Sequence, residues 1–269
     1  MNSLTECITG YVDYIHEKTG FYLSFHFSEA GYDLFSEREL TALIPYIAHF
    51  NPYCRFVNSD PSRHEKCMEN QKQIISRLES EERIIHTCFA CAREVSYPIR
   101  NSNGVMGFVT VSGYKGRHGE KIDERLWQNA LISDDIPTSL TDVIALPLCA
   151  LFEKMLSQSA DKSPSELNSI LKYLSESHGD ITLDKIAFRL GRSRSYVSHL
   201  FKKKTGKSIR AYSNDLKLFF AQNLLKSGDM SVTEIALETG FEDTSYFIRL
   251  FKEKYGVTPH KYKKTNLTN

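Results

Sequence analysis

Two stretches in the C-terminal half repeat each other at a fixed offset, and this limits the fold more than any other feature. Ile186-Ala187-Phe188-Arg189-Leu190-Gly191 is answered by Ile235-Ala236-Leu237-Glu238-Thr239-Gly240. In each copy an apolar pair rides a short helix closed by a glycine, the residue that most easily takes the left-handed turn past a helix end. A second helix follows in both. Ser193 is placed to cap the first, with Val197, Leu200 and Phe201 inward, and Asp243 the second, with Tyr246, Phe247, Leu250 and Phe251 inward. Each copy closes on Lys-x-Lys and a glycine: Lys202, Lys204 and Gly206, then Lys252, Lys254 and Gly256. The offset is 49 residues up to the turn and 50 after it. Helix, glycine turn, capped helix is the helix-turn-helix pattern. One match is weak, because many helical hairpins look similar; two in register on one unit are strong. Between them Ile209, Tyr212, Leu216, Phe219, Phe220 and Leu224 fall on helical spacing. A connecting helix of ~18 residues is about 27 Å long. It suits two recognition helices roughly 34 Å apart, one turn of DNA, on one face of the duplex.

Charge points the same way. The 269 residues carry a net +1, but residues 163–269 hold 18 Lys and Arg against 11 Asp and Glu, a net +7. The rest holds 16 against 22, a net −6. A basic unit joined to an acidic one implies that only the former meets a polyanion. The length suggests two domains. The polar stretch 157–164 predicts a linker between a first domain over 1–156 and a second over 165–269. Ser163, Pro164 and Glu166 predict a capping box at the start of a helix with Leu167, Ile170, Leu171 and Leu174 along one face.

Residues 165–264 resemble the DNA-binding domain of the AraC/XylS family of bacterial regulators. The resemblance is carried by Ile186-Ala187 with Gly191, by Leu200-Phe201-Lys202 and Gly206, and by Leu224-Leu225 and Ile235-Ala236. It is densest over Gly240-Phe241-Glu242-Asp243, Ser245-Tyr246-Phe247, Arg249, Phe251-Lys252, Gly256 and Thr258-Pro259. It implies double-stranded DNA and RNA polymerase as partners. The faces left free by the apolar stripes predict base readout by Arg194, Ser195, Ser198 and His199 in the first recognition helix. In the second they predict Thr244, Ser245, Ile248 and Arg249. These positions match the family's base-contacting sites. His199 stands where relatives often carry Arg, which weakens any guanine contact there. Lys202, Lys203, Lys204 and Lys252 are the expected phosphate contacts; as solvated surface charges they would need no further role.

The N-terminal half reads as α+β, an antiparallel sheet with helices. Gly20 to Phe27 predicts a strand, Glu37 to Phe50 and Pro61 to Ser80 predict helices, and Glu94 to Ile99 with Val105 to Ser112 predict a hairpin turned at Asn101-Ser102-Asn103-Gly104. The pattern Pro52-Tyr53-Cys54, Cys67, His86-Thr87-Cys88-Phe89-Ala90, Tyr97-Pro98-Ile99 and Gly104-Val105-Met106-Gly107 resembles the sensory domain of PocR-type regulators. The resemblance implies a PAS-like fold that senses small hydrocarbon derivatives such as diols. Phe89 and Cys91 depart from the family pattern. Phe25, Cys54, Cys67, Cys88, Tyr97 and Phe108 are the candidate effector pocket, although these aromatics also suit a plain core.

Three readings of Cys54, Cys67, Cys88 and Cys91 stay open. They are small buried residues, or thiolate ligands of a metal such as zinc, with Cys88 and Cys91 at ligand spacing, or a redox pair. The metal and redox readings make the chain a metal- or thiol-responsive regulator. No phosphate loop, Gly-x-Ser-x-Gly, His-Glu-x-x-His or dinucleotide fingerprint supports an enzyme. No cofactor is expected beyond such a zinc. No apolar run approaches a membrane span and no signal segment opens the chain, so the cytoplasm is the expected location. Dimerisation fits a reader of only two grooves, though no coiled-coil heptad supports it.

Overall fold

Strict alternation builds the first half around one sheet. The computed structural model describes residues 3–47, 51–132, 135–157, 165–177, 179–227 and 230–267. Helix α1 (Leu4–Thr19) leads into strand β1 (Tyr22–Phe27), then α2 (Glu29–Asp33), α3 (Glu37–Leu43) and a 3-10 turn at Ile44–Tyr46. Helices α4 (Pro52–Asn58) and α5 (Pro61–Leu78) precede β2 (Ile84–Thr87), β3 (Ala92–Asn101) and β4 (Gly104–Lys115). Helices α6 (Glu124–Ala130) and α7 (Thr138–Ser157) close the half. The strands are antiparallel in the order β1-β4-β3-β2. The expected hairpin is present and longer than predicted at both ends. The expected helix over 37–50 stops at Leu43 and tightens into the 3-10 turn, while 48–50 lie outside the described residues.

Both faces of this sheet are covered. One carries Phe25, Val109 and Tyr97 in register and packs on α7, with the Phe25 and Phe152 rings 4.6 Å apart. The other face carries Ser24, Thr110 and Ser96 in register, with His26 and Glu94. All five are buried. Polar groups shut away from water need partners. Ser96 Oγ lies 3.2 Å from Thr110 Oγ1, Ser24 Oγ 3.5 Å from His26 Nε2, and His86 3.6 Å from Glu94.

The second half is helical: α8 (Glu166–Glu176), α9 (Leu183–Leu190), α10 (Arg194–Thr205), α11 (Ile209–Ser227), α12 (Val232–Glu238), α13 (Thr244–Tyr255) and α14 (Pro259–Leu267). Beyond Ser157 the expected linker lies outside the described residues, as do Ser163 and Pro164. The predicted capping box is replaced. Ser165 caps α8 by accepting from the Leu167 N–H. Glu166 instead accepts from Arg192 Nε at 2.7 Å and Tyr196 Oη at 2.6 Å, bracing the α9–α10 turn.

The first half does not keep a core to itself, as its charge and linker had suggested. One apolar cluster runs from the sheet and α7 through α8, α9 and α10 to the first part of α11. Polar contacts line the same boundary. Asn168 Nδ2 donates to the Tyr32 and Phe35 carbonyls, each at 3.2 Å, and Tyr212 Oη donates to the Thr41 carbonyl at 3.1 Å. A separate cluster gathers Leu218, Ala221, Leu224 and Leu225 of α11 with Ile235, Phe241, Phe247 and Phe251.

Candidate nucleic-acid interface and buried cavity

Each sequence repeat folds as a capped helix, a glycine turn and a second capped helix. Thr182 caps α9, Gly191 follows it at φ 61°, and Ser193 caps α10. Ser231 and Glu234 form a capping box at the start of α12, Gly240 turns at φ 75°, and Asp243 caps α13. A side chain with a Cβ disfavours that left-handed backbone, so both turns call for glycine. Val197 and Phe201 in α10, and Phe247 and Phe251 in α13, are fully buried, which fixes the rotation of both helices.

That rotation presents the expected readout residues outward. Arg194, Ser195 and His199 on α10 are exposed and Ser198 is half-buried; on α13, Ser245 and Arg249 are exposed and Thr244 and Ile248 half-buried. Arg194 Nε lies 3.1 Å from Asp184 Oδ1, but both side chains are mostly in solvent, where such a pair holds weakly. The Arg249 guanidinium sits 5.2 Å from the Tyr246 ring centroid, and an arginine braced on an aromatic is already partly ordered. Lys202, Lys203 and Lys252 are exposed. Lys204 is not a free phosphate contact in this arrangement, because its Nζ lies 3.2 Å from Glu37 Oε1 in the first half. Lys254 is likewise held, 3.2 Å from Asp215 Oδ1.

A cavity with two lobes lies under the polar sheet face. The first, with about 30 Å³ of free space, is walled by His26, Tyr32, His64, Cys67, Gln71, Ser175 and Glu176. The second, with about 20 Å³, is walled by Cys54, Cys67, Cys88, Ala90 and Glu94. Asn58, Cys67 and Gln71 border both. Asn58 Nδ2 donates to the Cys54 carbonyl at 2.8 Å, while its Oδ1 is buried without a hydrogen bond. Of the expected pocket residues, Cys54, Cys67 and Cys88 line the cavity. Phe108 is on the same sheet face but stacks on His26 in a neighbouring apolar cluster. Phe25 and Tyr97 do not belong to the pocket. They face α7, where Tyr97 Oη lies 2.7 Å from both Thr141 Oγ1 and Asp142 Oδ1. Sequence reasoning missed His26, Asn58, Gln71 and Glu94. For His26 and Glu94 the signal was the polar half of the β1 and β3 alternation, which reads as a solvent-facing side when nothing is known to cover it.

The thiols behave as core groups. Burial lifts Cys67 to about 11 and Cys88 to about 12, and holds Cys54 well above the ordinary thiol range. Thiols so placed are poor nucleophiles and poor ligands at neutral pH. Cys91 sits apart in a left-handed turn, its Sγ donating to the Gly116 carbonyl at 3.1 Å. Among the described residues, no three His, Cys, Asp or Glu side chains are arranged to hold a metal. Alkylation with iodoacetamide at neutral pH is therefore expected to reach exposed Cys7 first and Cys54, Cys67 and Cys88 last, read by peptide mapping. Early labelling of Cys88 would revive the redox reading.

Comparison with known proteins follows the same division. Residues 186–265 match a helix-turn-helix domain family, and residues 36–130 match the sensory domain found in PocR. The chain is 25% identical over 257 residues to the regulatory protein PocR of Salmonella typhimurium, across 82% of this chain and 84% of that protein. It is 31% identical over 129 residues to the HTH-type transcriptional activator RhaS of Escherichia coli, across 47% of this chain and 46% of that protein. A solved C-terminal domain, from the two-component response regulator yesN of Fusobacterium nucleatum, is 34% identical, with a TM-score of 0.33. That match covers 35% of this chain and 93% of the solved one.

Proposed function

The chain is an AraC-family transcription regulator that carries a PocR sensory domain, and we propose that it reads DNA through two helix-turn-helix motifs under the control of a small neutral effector. The observation that carries this reading is the duplicated, glycine-turned helix pair, with Arg194 and Arg249 outward on equivalent helices. Helix α11 has 19 residues, about 28 Å at 1.5 Å per residue, a separation suited to adjacent grooves on one face of the duplex. The effector site is the two-lobed cavity. Its asparagine, glutamine, histidine and Ser175 groups offer hydrogen bonds to an uncharged guest. RNA polymerase is the expected partner, and a homodimer supplies further half-sites. The relatives named above are regulators, and the proposed role needs no catalysis and no metal. No helix among the described residues is long and apolar enough to cross a membrane. The cytoplasm is the proposed location.

Fluorescence anisotropy of the full chain on a labelled duplex tests the DNA reading. Phosphate contacts by Lys202, Lys203 and Lys252, at about 0.9 each, give a slope of about −2.7 for log K against log salt. A flat profile would remove the phosphate contacts from the proposal. Arg249→Ala is expected to lose about 1–3 kcal/mol on the selected sequence and little on random duplex. Lys252→Ala is expected to weaken both alike. Equal losses on the two duplexes for Arg249→Ala would strike it from the readout set. Thermal shift of the full chain against short diols, alcohols and aldehydes tests the sensor reading, since a ligand of the folded state raises the midpoint by mass action.

A further inference from the structure

The first lobe of the cavity is not closed by the sensory half alone. One wall is β1 and α5; another is the last turn of α8, the helix that opens the DNA-binding half. Ser175 is 3% exposed, and its Oγ lies 3.3 Å from Tyr32 Oη. Glu176 is the next residue of the same wall, its carboxylate 4.0 Å from Lys172 Nζ.

We propose that α8 is the lid of the effector site: a small uncharged molecule with two or more hydrogen-bonding groups binds between Gln71 and His26 on one side and Ser175 and Glu176 on the other, so that occupancy reaches the DNA-binding half by direct contact. The proposal rests on the sensor reading above and adds its route of transmission. The wall suits an uncharged guest. Burial raises the Glu176 carboxyl and lowers the His64 imidazole, favouring the neutral form of each. The lid is also held by exchangeable bonds. Asn168 bonds the Tyr32 and Phe35 carbonyls, and Lys172 pairs with Glu29 at 2.7 Å. Hydrogen bonds contribute about 1 kcal/mol each once exchange with water is counted, so a ligand touching both sides can shift the balance. The same end of α8 has an onward connection. The Gly179 N–H donates to the Leu174 carbonyl at 2.8 Å, and Ser213 Oγ of α11 donates to the Gly179 carbonyl. Helix α11 carries both helix pairs.

Hydrogen exchange of the full chain, with and without ethylene glycol, 1,3-propanediol and glycerol, tests the lid. The expected result is added protection in α5 and α8 together. Protection of α5 without α8 overturns the lid and leaves the sensor reading standing. If no diol protects either helix, the sensor reading fails for this ligand class, and a built-in occupant decides the lid. Ser175→Trp places a ring in the lobe from the α8 side. Cys67 alkylation should then slow, and the Kd for a duplex selected from a random pool should change, each about fivefold or more. If neither moves, the lid is wrong. Glu176→Leu carries the same test should Ser175→Trp fail to fold.

Discussion

Phe251→Ala is expected to cost about 3–5 kcal/mol and to unfold the second helix pair while the sensory sheet and the first pair stay folded. Phe251 is fully buried, with ring centroids of Phe247, Tyr255 and Tyr262 at 5.7, 4.5 and 5.6 Å. Removing a ring from such a site leaves a cavity that three aromatic neighbours cannot collapse to fill. The damage should stay local because Phe251 belongs to the smaller apolar cluster, distinct from the one containing the sheet. Phe201→Ala is the contrasting case. Phe201 sits in the large shared cluster, its ring 5.4 Å from that of Tyr212, so its loss should loosen α8 and the sensory half as well. Residue-resolved hydrogen exchange distinguishes the two outcomes, since separately packed units open separately. A single cooperative loss of protection across the whole chain in Phe251→Ala would show that the clusters do not act as independent units.

Arg55→Met is expected to stabilise the full chain by about 1–2 kcal/mol. Arg55 lies on α4 with its guanidinium carbon 3.6 Å from the Phe220 ring centroid of α11. Only 8% of the residue is exposed, and Nε and Nη1 have no hydrogen-bond partner among the described residues. Burial draws the guanidinium down to about 9, so it remains charged at neutral pH. Glu238 of α12 is the opposing charge, and its own carboxyl is raised by burial. A cation held this way loses hydration that one ring and one carboxyl do not restore. Methionine keeps the length and the contact with Phe220 without that cost. Chemical denaturation would measure the gain. A loss of more than about 1 kcal/mol would mean that the cation–π and Glu238 contacts outweigh desolvation.

The two helix pairs were legible in the sequence because their signals are local. Gly191, Ser193, Gly240 and Asp243 state turns and caps within a few residues, and the apolar spacing fixes which face of α10 and α13 turns inward. What escaped was set at long range. The Ser163 and Glu166 spacing fits a capping box, yet Glu166 bonds Arg192 and Tyr196, some 26 and 30 positions away. Phe25 and Tyr97 were assigned to the pocket because an isolated strand shows two faces without naming what covers each. The register with Val109 turns both toward α7, and it leaves Ser24, Ser96 and Thr110 on the opposite face of the sheet. Lys204 looked like one more phosphate contact because Glu37 is remote in sequence. The thiols looked like a cluster because Cys88 and Cys91 are neighbours in sequence, whereas the left-handed backbone at Cys91 turns its thiol toward Gly116.

The two apolar clusters have a consequence for the DNA that such a chain would select. The first helix pair is continuous with the sensory core, whereas the second packs on a separate apolar cluster. Under the proposed reading, the two heads are expected to differ in stiffness and the binding site to inherit that inequality. Base changes under α10 should alter how strongly occupancy answers to the effector, because that head moves only with the sensor. Changes under α13 should alter affinity by nearly the same factor whether the effector is present or absent. The bound site would then have a polarity: one half addresses the promoter, and the other makes the address conditional.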